Sequence, residues 1–220
     1  MSRPADRRRE LLRFTRPVRW VHAVTAALLF VCIATAAILY IGSIAVLVGD
    51  RYVIEQVHVW CGLALPVPLI VGLLSPSYRA DLRRLNRFTR RDWRWLRSRS
   101  RRDGQIMVGK FNAGQKLNAA LSLGAIGVLL MSGVVMYFTH LTRLSWRSGA
   151  TFVHDWVALA LGLLVIGHVM YAVRDPEALR SMRTGRVPLR WAQREHLAWA
   201  DEMCADEVEQ DQVDPVDSAR

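Results

Sequence analysis

The chain has 220 residues, 52% of them hydrophobic and 22% charged, with a formal net charge of +11. That length holds one domain or one small helical bundle and argues against a two-domain enzyme. The charge alone would suit a nucleic-acid binder, but every basic residue except Lys110 and Lys116 is Arg, and the Arg residues stand in blocks between long uncharged stretches, so a membrane is the expected partner and nucleic acid is not.

The N-terminal arm through Arg19 carries seven Arg and leads into a first apolar span, 18–41. This run is far longer than the roughly 7–15 residues of a signal-peptide core, so it is expected to stay in the mature chain. Residues 42–48 prolong it beyond one bilayer thickness and are read as an interfacial connector ending at Gly49 and Asp50. A second span, 52–74, is followed by a loop, 75–114, in which 78–110 holds twelve Arg and Lys against three Asp. The third and fourth spans are 115–138 and 151–173; each of the four has the about 20 apolar residues that cross a bilayer as a helix. Six Arg lie in 174–194, and the acidic tail 201–220 is expected to be disordered.

The short connections hold only Arg51 on one side and Arg143 and Arg147 on the other. By the positive-inside rule both termini and the loop 75–114 face the cytoplasm, with the Arg blocks against lipid headgroups. The expected fold is all-α: an integral membrane four-helix bundle over 1–200 in a bacterial cytoplasmic membrane. The three Cys (Cys32, Cys61, Cys204) form no C-x-x-C or C-x-x-C-H motif. A covalent haem and an iron–sulfur cluster, which needs about four thiolates, are therefore not expected.

Ionisable residues inside spans are costly and point to function. His22 and His168 lie near the inner ends of spans one and four, and His58 and His154 near the outer starts of spans two and four. His154 and His168 are 14 residues apart. At about 100° and 1.5 Å per residue they share a helix face about 21 Å apart. Each depth then offers two His ligands, which suits two b haems with bis-His axial ligation. Zinc would want three or four ligands at one point. Gly62 and Ala158, each four residues past a His, suit a macrocycle's close approach, although ordinary small-residue helix packing explains them as well. Arg19, Arg51 and Arg174 could pair with haem propionates. His140 reads as interfacial, and His196 as part of the cytoplasmic tail.

Further motifs carry a resemblance: Arg13-Phe14-Thr15-Arg16, Arg19-Trp20-Val21-His22, Lys110-Phe111-Asn112-Ala113-Gly114-Gln115-Lys116, Gly185-Arg186-Val187, Trp191-Ala192 and His196-Leu197-Ala198-Trp199. They resemble the membrane cytochrome b (gamma) subunit of respiratory formate dehydrogenases, a family related to the cytochrome b subunits of nickel–iron hydrogenases. The N-A-G-Q-K motif tips the likeness toward formate dehydrogenase. The resemblance implies that His22 and His168 bind an inner haem, His58 and His154 an outer one, and that Asn112, Gly114 and Gln115 form a quinone pocket beside the inner haem. It also implies an electron-transfer subunit that does not itself oxidise formate. The partners would be an iron–sulfur beta subunit and a molybdenum or tungsten catalytic alpha subunit in a multimeric complex, and the acceptor menaquinone or ubiquinone.

The same residues leave three other readings open: a hydrogenase or other molybdoenzyme as electron donor, a haem-free membrane scaffold or transporter, and a dihaem reductase working without a dehydrogenase partner. Asn112 could equally be a helix N-cap, and Lys116 could snorkel to the interface or help supply protons. The first helix reads Ala34-Thr35-Ala36-Ala37 where the family has a small residue followed by Gly, and Trp60-Cys61 follow His58 where relatives often have Pro.

Overall fold

The computed structural model describes residues 9–99 and 106–213, with side chains through Asp206. The helices in chain order are α1 (Arg16–Tyr40), α2 (Gly42–Val48), α3 (Arg51–Ala64), α4 (Pro66–Gly72), α5 (Pro76–Asn86), α6 (Arg90–Arg97), α7 (Ala113–Tyr137), α8 (Leu144–Val173), α9 (Pro176–Thr184), α10 (Leu189–Glu195) and α11 (Leu197–Val213). Two three-residue strands, β1 (Glu10–Leu12) and β2 (Arg186–Pro188), pair antiparallel with Leu11 opposite Val187, a small exception to the all-α expectation. Four stretches are long and apolar enough to cross a membrane: Arg16–Tyr40, Arg51–Gly72, Ala113–Tyr137 and Leu144–Val173.

The chain divides into two compact units. The first comprises the described parts of 16–80 and 118–171. Its apolar core is Cys32 of α1, Leu65, Ile126 of α7 and Leu161 of α8, so one residue from each of the four long stretches meets there. The connector 42–48 is helical and wholly unburied. Asp50 caps α3 by accepting from the Val53 amide (3.1 Å).

The span expected to run unbroken over 52–74 is interrupted between α3 and α4. Pro66 and Pro68 have no N–H to donate to the preceding turn. The Leu65 amide bonds the Gly62 carbonyl (3.2 Å), three residues back instead of four. Gly72 then passes side chains so closely that a Cβ would sit 2.8 Å from Val21 Cγ2 and 2.9 Å from Tyr78 Cε1.

The second unit comprises the described parts of 1–15, 81–117 and 172–220. It packs Leu11, Val187, Leu189, Trp191, Trp199 and Ala200 into its own core. Asp175 caps α9 through the Ala178 amide, and Gly185 ends that helix in the left-handed region (φ 84°). The Gly185 carbonyl accepts from both the Arg13 and Phe14 amides (2.8 and 3.0 Å), which fixes the approach of the N-terminal segment.

Two segments are more ordered than their polarity suggested. The Arg-rich loop contains α5 and α6, and α6 starts with a capping box in which Thr89 and Asp92 bond reciprocally. Residues 201–213, expected to be disordered, continue α11. Met203 and Cys204 pack on the Trp199 cluster and Glu202 pairs with Arg84, contacts that an acidic composition does not reveal. Residues 214–220 of that tail, like the first arginines of the N-terminal arm, lie outside the described residues.

Candidate functional site

The four intramembrane histidines come together in the pairs that their depths implied. The ring centroids of His22 (α1) and His168 (α8) are 6.3 Å apart with planes at 50°, and those of His58 (α3) and His154 (α8) are 6.2 Å apart at 65°. Leu161, buried in the core, lies seven residues from each α8 histidine.

These separations are too long for a hydrogen bond between imidazoles and fit a shared metal. A metal–nitrogen bond of about 2 Å on each side, with each ring centre about 1.1 Å behind its nitrogen, gives centroids about 6 Å apart. Among the described residues no group of three or more His, Cys, Asp or Glu could hold a metal ion, so each depth offers two imidazoles and no more. That donor set suits an iron whose other positions are filled by a macrocycle.

The ring orientation supports the same reading. His58 Nδ1 lies 2.9 Å from Thr35 Oγ1, and His154 Nδ1 lies 3.0 Å from Ser132 Oγ. His168 Nδ1 is 3.5 Å from the Asn118 amide nitrogen. At His58 and His154 a proton on Nδ1, donated to the hydroxyl oxygen, leaves Nε2 for a metal. A Cβ built on Gly62 meets nothing within 4 Å, whereas one on Gly133 would lie 3.5 Å from the His154 ring. His140 is exposed, and its ring centroid lies 6.2 Å from that of Phe138. Arg51 donates to the Leu39 carbonyl (3.1 Å).

The N-A-G-Q-K segment is first of all a helix start. Asn112 Oδ1 accepts from the Gln115 amide (2.9 Å) and Gln115 Oε1 from the Asn112 amide (3.0 Å), a reciprocal cap opening α7. A Cβ on Gly114 would lie 3.2 Å from Trp95 Cη2, so glycine lets that indole approach the helix. Lys116 does not snorkel. Its ammonium donates to both Asp92 carboxylate oxygens (2.9 Å each) and to the Arg87 carbonyl (2.9 Å), with both side chains nearly buried. Burial pushes the Asp92 carboxyl up, but the bonds from Lys116 and Thr89 outweigh it and hold it below the ordinary range.

Asn112 and Lys116 also line a cavity of about 580 Å³ with Trp95, Val108, Phe111 and Arg94, while Gly114 and Gln115 do not reach it.

One cluster escaped the sequence reading. His196, expected only as part of the cytoplasmic tail, is among the most buried of the described side chains. Its Nδ1–H donates to the Gly109 carbonyl (2.7 Å) and its Nε2 accepts from Arg13 (3.1 Å). Arg13 lies over the Trp191 ring (4.6 Å) and donates to the Lys110 carbonyl (3.4 Å); Lys110 in turn pairs with Asp81. Burial, then Arg13, lowers His196 to about 3, and burial brings Arg13 down to about 10 against the pull of Asp175 and Asp81. The signal available in the sequence was the pair of tryptophans, Trp191 and Trp199, flanking His196 in otherwise polar surroundings.

Known proteins resemble this chain. It is 30% identical over 95 residues to the nitrate-inducible formate dehydrogenase cytochrome b556(Fdn) subunit of Escherichia coli, covering 42% of this chain and 44% of that protein. It is 29% identical over 106 residues to the formate dehydrogenase cytochrome b556 subunit of Haemophilus influenzae, covering 47% and 44%. These two matches thus span less than half of either relative. The cytochrome b556(fdo) subunit of Escherichia coli formate dehydrogenase aligns more fully, at 23% identity over 210 residues, 88% of this chain and 93% of that protein. The resemblance read from the motifs is found again in these relatives. The profile of the prokaryotic cytochrome b561 family matches residues 13–185, most of the chain including all four paired histidines, and the chain belongs to that family.

Proposed function

We propose that this protein is the membrane-anchoring dihaem cytochrome b subunit of a formate dehydrogenase complex, carrying electrons from an iron–sulfur subunit to the quinone pool. The observation that carries the reading is the pair of bis-imidazole sites, 6.3 and 6.2 Å between centroids, on helices long enough to span a bilayer. Haem b, when bound, supplies reversible one-electron chemistry at each site. The chain's own work is to present the nitrogens of His22 and His168 at one depth and of His58 and His154 at the other. It also keeps the intervening core apolar, with Cys32, Leu65, Ile126 and Leu161. The relatives' names, as formate dehydrogenase cytochrome subunits, support a complex with further subunits, and in this reading the chemistry of formate oxidation belongs to those subunits.

In this reading both termini and the 75–114 segment face the cytoplasm, so His58 and His154 lie toward the outer face, where electrons enter. Quinone is reduced at the start of α7, around Asn112, Gly114 and Gln115. There the partial positive charge of the helix N-terminus favours the charge that develops on a quinone oxygen. The side-chain Nδ2 of Asn112 is left to donate, since Oδ1 and the backbone N–H are both used in the cap.

A dithionite-reduced minus oxidised visible spectrum, with haem extracted as pyridine haemochrome, tests the reading. Wild type is expected to hold about two haems b per chain, and His58→Ala and His168→Ala about one each. A well-folded wild type without haem overturns it in favour of a scaffold or transporter.

A further inference from the structure

Thr35 on α1 and Ser132 on α7 are both buried inside long apolar helices, where a hydroxyl must find a partner. Both use the same arrangement. Thr35 Oγ1 lies 2.7 Å from the Val31 carbonyl of its own helix, and Ser132 Oγ lies 2.8 Å from that of Val128, each four residues back. Each hydroxyl has a single proton, and the carbonyl, which can only accept, takes it. The oxygen is then left as an acceptor toward the imidazole, 2.9 Å from His58 Nδ1 and 3.0 Å from His154 Nδ1. The proton must therefore sit on Nδ1 in both rings, with the lone pair on Nε2. Among the described residues no hydroxyl bonds His22 or His168; His168 has the Asn118 amide at 3.5 Å.

We infer that Thr35 and Ser132 are positioning residues that lock His58 and His154 into the ligating tautomer and make that haem site more electron-rich than its partner site. The inference rests on the dihaem reading proposed above. A hydrogen bond accepted from Nδ1–H raises the basicity of the ring, which favours the oxidised metal and lowers the potential of that site. Because both rings of one site carry the bond and, among the described residues, neither ring of the other has a hydroxyl partner, the two sites are separated in potential by the chain itself. The separation favours electron flow from the His58/His154 site to the His22/His168 site.

The test is a spectropotentiometric titration of the full chain in membranes with its partner subunits, the His58/His154 component being identified by its loss in His58→Ala. Thr35→Val and Ser132→Ala are each expected to raise the midpoint of that component and leave the other in place. The double variant should also release its haem about 10–100-fold more readily on dilution, the range for lost partners of metal-bound His. Thr35→Ser and Ser132→Thr, which keep the hydroxyl, should restore both readouts. An unmoved midpoint in the double variant overturns the inference, as does an equal shift in Thr35→Ser, which would reduce Thr35 to a packing role. If Thr35→Val does not assemble, Ser132→Ala alone carries the same expectation through His154. A haem-free wild type is a different outcome, the failure of the dihaem reading itself.

Discussion

His196 shows how much one buried side chain can decide. With Nδ1 donating to Gly109 and Nε2 accepting from Arg13, the ring is held neutral, and protonation would place a second cation against the guanidinium. Its folded-state value of about 3 lies below the ordinary 6.5, so the unfolded chain binds the extra proton first. Stability contributed by the neutral ring is full above pH 6.5 and is lost as pH falls from there toward 3. Thermal unfolding of the detergent-solubilised protein should therefore move to lower temperature between pH 7 and pH 5. In His196→Gln, whose amide keeps a donor and an acceptor but does not titrate, the midpoint should start lower at pH 7 and lose most of this acid dependence. An unchanged acid dependence in that variant would assign it to other groups. The residue type alone could not announce this role, because a histidine after Arg194 and Glu195 looks the same exposed or enclosed until Arg13, far away in sequence, is brought onto it.

Among the helices, the apolar spans were legible because about 20 uncharged residues have few other places to go, and each expected span lies within or beside a helix. The ends were less legible. Helix α8 starts at Leu144, seven residues before the apolar run suggested, because a hydropathy reading stops at Arg143 and Arg147 although Arg is a good helix former. The α3–α4 break was written in Pro66 and Pro68 and needed only the loss of two amide donors to be weighed against the hydropathy. Gly72, by contrast, looked like any membrane glycine. Its need for no side chain arises from Val21 and Tyr78, and Gly72→Ala is expected to cost about 1–3 kcal/mol through overpacking. A melting temperature equal to wild type would show that Val21 and Tyr78 yield freely.

For the whole molecule, the expected topology follows from the distribution of Arg between the ends of the spans. A green fluorescent protein fused after Arg220 should fluoresce, and alkaline phosphatase at the same place should be inactive. A Cys introduced at Arg143 should react with a membrane-impermeant maleimide in intact spheroplasts. The reverse pattern would invert the chain and place the His22/His168 site outward. The pairing of the four histidines was legible at this scale too, since a 14-residue spacing on one helix and matching positions on two others are properties of a linear string read with 1.5 Å per residue. The N-A-G-Q-K segment was legible as a motif, but its Gln115 side chain turned out to close a cap, a use that spacing and chemistry together leave undetermined.

By itself, then, the sequence determined the number and order of the apolar helices, the positions of the four histidines along them and the likeness to a family, because these depend on local composition and helical pitch. Only the tertiary structure decided which ring atom of His58 and His154 is held and by what. It also decided that Lys116 meets Asp92, and that His196 is enclosed with Arg13. Each of these depends on residues distant in sequence meeting within 3 or so ångströms, about 3 Å being the reach of a hydrogen bond, and no local pattern encodes such a meeting.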